Sequence, residues 1–199
     1  YDGRGWSIQR AAVIIMDAVK ELRAGAVHVI GLSMGGVIAQ QIAHDHPLMT
    51  RKLVLASTFA RLRPEHLTEW YYFLRRVITL SLRGMPAQAE VVAERVFPHP
   101  EQAFLRELLR DTIMQADHQA YRKAMFALGS FDSRKWLGTL TQPTLVVTGS
   151  NDTTVSPKLQ EKLAKKIPGA RHIIIENAGH AVAVDHADQF NRILLEFLA

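Results

Sequence analysis

The chain has 199 residues, 48% of them hydrophobic and 22% charged, with 24 Lys and Arg against 19 Asp and Glu and a formal net charge of +5. That apolar content excludes a disordered segment, and the absence of cysteine excludes a disulfide-held scaffold. The length implies one domain with room for a subdomain, and a core large enough to stand without staples.

No apolar run, such as Ala11 to Met16, approaches the roughly 18 to 20 residues a membrane helix needs, so no membrane partner is expected. The basic residues are scattered among acidic ones, which reads as a solvated surface and argues against nucleic acid as a partner. A cysteine-free chain is compatible with a reducing cytoplasm, the compartment expected here, and does not exclude secretion. The sequence begins at Tyr1 without a signal pattern.

In chain order, Ser7 is placed to cap a helix carrying Ile8, Ala11, Ala12, Ile15, Val19 and Leu22 at helical spacing, stopped at Gly25. Val27 to Ile30 is a β-branched strand, followed at once by Gly31-Leu32-Ser33-Met34-Gly35-Gly36 and a helix from Met34 to His46, before Pro47. Lys52 to Ala56 reads as a second buried strand. Residues 60 to 136 carry no convincing strand. There Leu67, Trp70, Tyr71, Leu74, Val77 and Ile78 share a helix face, Pro86 and Pro100 open further helices, and Phe104, Leu105, Leu108, Leu109 and Ile113 continue the pattern. Alternation then returns: strand Pro143 to Gly149, helix Pro157 to Ile167, strand Arg171 to Ile175, and helix Asp188 to Leu198 with Phe190, Ile193, Leu194 and Phe197 inward. Continuous apolar strands alternating with helices predict an α/β fold with a mostly parallel sheet covered on both faces. The expected division is a core of 1–59 and 137–199 with a helical insert at 60–136.

Gly31-Leu32-Ser33-Met34-Gly35 matches G-x-S-x-G between a strand and a helix, the setting of a nucleophile elbow. Glycines at 31 and 35 answer the steric demand of the tight turn, and Gly36 permits close helix packing. Ser33 would project over the sheet at the positive end of the following helix, with the Met34 N–H as one oxyanion donor. A serine needs a base, and the base an orienting group. Asp152 follows the strand ending at Gly149, and His180 follows the next strand within Asn177-Ala178-Gly179-His180. The order Ser33, Asp152, His180 is that of a hydrolase built on such an elbow, with His180 as general base and Asp152 fixing its tautomer. His28 reads as a core residue, His44-Asp45-His46 as a solvated helix end, and Asp185 and Asp188 as part of the entry to the last helix. His99, His118, His172 and His186 have no convergent partners in the sequence. No metal spacing is present, and Gly31 to Gly36 lacks the Lys-Ser/Thr of a phosphate loop, so no cofactor is implied.

These motifs resemble the α/β-hydrolase fold family, in the branch of 3-oxoadipate enol-lactonase-like esterases and lactonases. Tyr1-Asp2-Gly3-Arg4-Gly5-Trp6-Ser7 is similar to its D-x-R-G-x-G-x-S segment, with Trp6 where glycine is usual. Gly31 to Gly36 resembles G-x-S-M-G-G, Pro143 to Asp152 resembles P-T-L-V-V-x-G-x-x-D, and Ile167 to Ala170 with Ala178 to His180 resembles the closing segment that carries the base. The resemblance implies a serine hydrolase acting through an acyl-enzyme on a small carboxylic ester or lactone. It makes the 60–136 insert a cap whose Trp70, Tyr71, Tyr72, Phe73 and Leu74 form an apolar ceiling, with Trp70, Tyr71 and Leu74 as substrate contacts. Packing of cap against core is the competing role for these residues.

The family also has strands ahead of the Asp2 segment, and a loop there supplies a second oxyanion donor. Their absence from this sequence leads to the expectation of a fragment, with Val27 to Ile30 an open apolar edge covered by the missing segment or by a second copy. A ligand-binding or regulatory protein on the same fold, an inactive one, or a carbon–carbon bond hydrolase using the same three residues, are the alternatives. Serine at position 33 argues against dehalogenase or epoxide-hydrolase chemistry, for which aspartate would be expected.

Overall fold

A computed structural model describes residues 5–62 and 67–199, with the side chains of 68, 69, 73, 77 and 81 excepted. The segment Tyr1 to Arg4, part of the D-x-R-G resemblance, lies outside the described residues, as do the side chains of Phe73 and Val77. The chain divides into two compact units, Tyr1–Leu62 with Lys123–Ala199, and Arg63–Arg122. Residues 123–136, expected within the insert, fall in the first unit.

In the first unit, helix α1 (Ile8–Glu21) opens on Ser7, whose Oγ accepts from the Arg10 N–H at 3.1 Å. The side chain thereby satisfies one of the helix's orphan donors. The buried positions of α1 are Ile8, Ala12 and Met16, which pack on Val37 and Ile42. Ile15 and Leu22, expected on the inner face, are exposed. Both Ile15 and Met16 are apolar, so periodicity alone left the stripe's rotation open, and contact with the next helix settles it.

Strand β1 (Val27–Leu32) leads into α2 (Met34–Asp45), and β2 (Thr50–Ala56) follows a single 3₁₀ turn begun by Pro47. Strand β3 (Thr144–Gly149), helix α6 (Pro157–Ala164), strand β4 (Arg171–Ile175), the short α7 (Val182–Asp185) and α8 (Ala187–Leu198) complete the unit. The four strands pair in the order β1-β2-β3-β4, every pair parallel. Strand β1 is an edge strand, with Ile30 47% exposed.

Successive residues of β2 point to opposite faces, so Leu53 and Leu55 enter one apolar cluster while Val54 and Ala56 enter the other. Ala39 and Ala43 of α2, Leu163 of α6 and Leu137 close the first cluster. Val182 of α7 and Phe190 of α8 close the second. This is why the strands are apolar runs rather than alternating ones: both faces are covered. Each fully buried leucine contributes roughly 1.5–3 kcal/mol by leaving water.

The second unit is helical. Helix α3 (Leu67–Val96) is broken at Gly84, where φ is 74° and ψ is −167°, and Pro86 opens its second segment. Proline lacks the N–H an uninterrupted helix would use, which explains why it sits at this start. Helix α4 (Ala103–Met114) follows a 3₁₀ turn begun by Pro100, and α5 (His118–Ser130) runs from this unit into the first. The buried Tyr72 ring lies under the guanidinium groups of Arg95 and Arg76, at 4.9 and 5.7 Å. Arg76 also donates to the Tyr121 hydroxyl at 2.9 Å. No helix among the described residues is long and apolar enough to cross a membrane.

Candidate active site

Parallel pairing puts the C-terminal ends of all the strands at one edge of the sheet, where side chains from distant stretches of sequence can converge. Strand β1 delivers Ser33, β2 delivers Ser57 and Thr58, β3 delivers Asp152, and β4 delivers His180.

Ser33 sits at φ 52° and ψ −114°, a left-handed conformation that costs a non-glycine residue roughly 1–3 kcal/mol. The surroundings hold it there. Its N–H donates to the Ala56 carbonyl at 2.9 Å, and its carbonyl accepts from Gly36 N at 3.0 Å and Val37 N at 3.2 Å. A Cβ on Gly31 would stand 2.3 Å from the Gly35 carbonyl oxygen, so glycine is obligatory at 31. A Cβ on Gly36 would meet Thr58 at 2.6 Å. At Gly35 a Cβ would meet nothing within 4 Å, so the crowding expected at 31 and 35 falls instead at 31 and 36.

The serine hydroxyl lies 3.0 Å from His180 Nε2. His180 Nδ1 lies 2.9 Å from Asp152 Oδ2 and 3.1 Å from Oδ1. His180 is 7% exposed and Asp152 3%. A carboxylate only accepts, so the imidazole carries its proton on Nδ1 and donates it to Asp152. Nε2 is then unprotonated and accepts from the Ser33 hydroxyl. The three residues chosen from the sequence are therefore brought into one hydrogen-bonded chain.

Asp152 is fixed from several sides. Oδ1 accepts from the N–H groups of Thr154 and Val155 at 2.8 and 2.9 Å, and Oδ2 accepts from Gln160 Nε2 at 2.9 Å. Gln160 is fully buried and donates also to the Val155 carbonyl at 2.8 Å. The loop that bears His180 is tied to the loop after β3. Asn151 N donates to the Ala178 carbonyl at 2.9 Å, and Asn177 N to Ser150 Oγ at 2.8 Å. Asp185, read as an entry residue of the last helix, closes α7, and its Oδ2 accepts from Gly179 N at 3.1 Å.

No sequence motif marks Thr58, Gln160, the close approach at Gly149 or the tie made by Asp185. A lone Gln or Thr carries no motif, and only the partner across the fold gives each its place. Trp70, Tyr71 and Leu74 are exposed on α3. Tyr71 and Leu74 line a cleft of about 330 Å³ with Arg75, Ile78, Thr79, Leu82 and Arg83. His44 Nδ1 pairs with Asp45 at 2.8 Å, and its ring lies 4.4 Å from that of Trp136. Among the described residues no group of His, Asp and Glu is arranged to hold a metal ion.

Known proteins agree with this architecture. Polyketide synthase ThaQ of Burkholderia thailandensis is 35% identical over 181 residues, which are 87% of this chain and 8% of that protein. A pimeloyl-(acyl-carrier protein) methyl ester esterase of Neisseria meningitidis serogroup B is 27% identical over 188 residues, covering 85% of this chain and 68% of the esterase. The solved enol-lactonase from Burkholderia xenovorans LB400 superposes with a TM-score of 0.86 at 24% identity, over 97% of this chain and 73% of that one, and so shares the fold. Residues 2–193 match the sequence model of the alpha/beta hydrolase family. With the all-parallel sheet and the glycine-flanked serine at its edge, that match establishes that the chain belongs to the alpha/beta hydrolase family.

Proposed function

We propose that this chain carries the machinery of a serine hydrolase that cleaves a small carboxylic ester or lactone through an acyl-enzyme. The observation that carries the reading is the chain of contacts from Asp152 through His180 to the Ser33 hydroxyl, 2.9 Å and 3.0 Å long at its two links. A serine so placed loses its proton to His180 Nε2 as Oγ forms a bond to the substrate carbonyl carbon. The carbonyl oxygen becomes an oxyanion, for which the Met34 N–H at the start of α2 is a donor aided by the helix dipole. Collapse of the tetrahedral species breaks the carbon–oxygen bond, and His180 returns the proton to the departing alkoxide. Water then repeats the sequence on the acyl-Ser33 ester and releases the acid. With a lactone, alcohol and acid leave as one hydroxy acid.

The esterase named above acts on a methyl ester, which supports an ester as the bond cleaved. An apolar acyl group is the part recognised in this reading, with Trp70, Tyr71 and Leu74, exposed aromatic and aliphatic side chains of α3, as its proposed contacts.

The test is pre-steady-state hydrolysis of p-nitrophenyl esters of increasing acyl length, with a lactone panel beside it. The reading predicts a burst of p-nitrophenol stoichiometric with protein, abolished by Ser33→Ala, and a KM for longer acyl groups that rises in Trp70→Ala. Hydrolysis at the same rate in Ser33→Ala would overturn it.

A further inference from the structure

The Ser33 carbonyl has a third donor. Thr58 Oγ1 donates to it at 2.8 Å, from a residue 25 positions along the chain. Thr58 is 1% exposed and stands just past the end of β2, behind Ser57, whose φ of 48° turns the chain toward α2. Ser57 N donates to the Val147 carbonyl at 3.1 Å, which anchors that turn to β3. The hydroxyl can reach Ser33 only because residue 36 is glycine: a Cβ there would lie 2.6 Å from Thr58 Cβ and Cγ2 and 2.7 Å from Oγ1.

We propose that Thr58 is a positioning residue of the oxyanion site, acting through the Ser33–Met34 peptide. The inference rests on the serine-hydrolase reading above. A peptide unit is a rigid plane whose C=O and N–H point in opposite directions. Whatever fixes the Ser33 carbonyl therefore fixes the Met34 N–H, the donor that faces the developing oxyanion. Ordinary capping of α2 supplies the Gly36 and Val37 donors. Thr58 adds a donor from outside the helix, so the plane is held from two directions and cannot rock about the strained Ser33 bonds. Hydrogen bonds in series also strengthen one another: density drawn toward the carbonyl oxygen makes the N–H of the same peptide a better donor. The benefit falls on the charged tetrahedral species more than on the neutral substrate, and so on kcat more than on KM.

Two substitutions separate hydroxyl from packing. Thr58→Val keeps the shape against Gly36 and removes the donor, whereas Thr58→Ser keeps the donor and removes the methyl. The proposal predicts that Thr58→Val lowers kcat about five- to tenfold with KM unchanged, the fold-change expected for one hydrogen bond worth roughly a kcal/mol. An alkylboronic acid, whose adduct with the serine is tetrahedral and anionic, should lose affinity by the same factor. Thr58→Ser should recover both. If valine is not accommodated, the difference between Thr58→Ala and Thr58→Ser isolates the hydroxyl in the same way. Equal kcat and boronate affinity in Thr58→Val and the unsubstituted protein would overturn the proposal, as would a loss confined to Thr58→Ser. An unsubstituted protein that shows neither burst nor boronate binding would overturn the serine-hydrolase reading and the inference with it.

Discussion

Gly149 and Gly179 meet so closely that a Cβ on Gly149 would stand 2.3 Å from the Gly179 carbonyl oxygen and 2.5 Å from that of Ala178. The end of β3 and the segment before His180 thus share one contact surface with no room for a side chain. His180 follows directly on this segment, so the segment's close seat against β3 bears on where the imidazole stands.

Gly149→Ala is expected to push the Ala178–Gly179 segment away and carry His180 out of line. Misplacing a reacting group by about 1 Å can cost about a hundredfold in rate. Turnover should fall by that order, with a stability loss of about 1–3 kcal/mol from overpacking. Ester hydrolysis rates read beside urea unfolding curves check both. Unchanged turnover in a destabilised protein would mean that the contact serves the fold alone.

Gln160→Leu tests the support beneath Asp152. The substitution removes the Nε2 donor to Oδ2, leaving the Thr154 and Val155 N–H groups on Oδ1. It also removes Gln160 Oε1, a buried acceptor with no partner among the described residues. Because Nε2 also donates to the Val155 carbonyl, two buried acceptors lose a donor, so stability should fall by about 1–3 kcal/mol while kcat falls about tenfold, the scale of a hydrogen bond to a charged group. KM should stay constant.

Much of this arrangement is legible in the letters. A turn that admits no Cβ at 31 and 36 must be spelled with glycine, so the elbow is visible without a structure. The strands are visible because both faces of the sheet are buried, and Pro86 marks the break that Gly84 makes in α3. Thr58 and Gln160 stay hidden because nothing local distinguishes them: each matters through a partner that topology alone brings near. The rotation of α1 is hidden for a related reason, since Val13, Ile14, Ile15 and Met16 are all apolar and only contact with α2 selects Met16. The short α7 carries no signal beyond its link to Gly179.

His172 gives a prediction for pH. Its Nε2 lies 2.9 Å from the buried Thr148 Oγ1, and burial holds the imidazole below its ordinary value of 6.5. Glu161 on α6 works against that effect, and Lys165 with it. The folded state therefore prefers neutral His172, while the unfolded chain protonates near 6.5. Stability from this preference is present above that value and is lost as pH falls below it through the lowered one. Asp132 stays ionised throughout that range, since Arg134 holds its carboxyl down at about 2. The melting temperature should fall between pH 7.5 and 5.5 by more in the unsubstituted protein than in His172→Asn. An equal fall in both would remove His172 from the account.

The most direct test of the whole account is labelling of the intact chain with a fluorophosphonate, followed by mass, beside Ser33→Ala, His180→Ala and Asp152→Asn. The account predicts a single adduct on Ser33, none in Ser33→Ala, and labelling slowed by orders of magnitude in the other two while all four proteins stay folded. A folded protein that takes no label, or takes it equally after Ser33→Ala, would contradict the claim that Ser33, His180 and Asp152 form a working nucleophile.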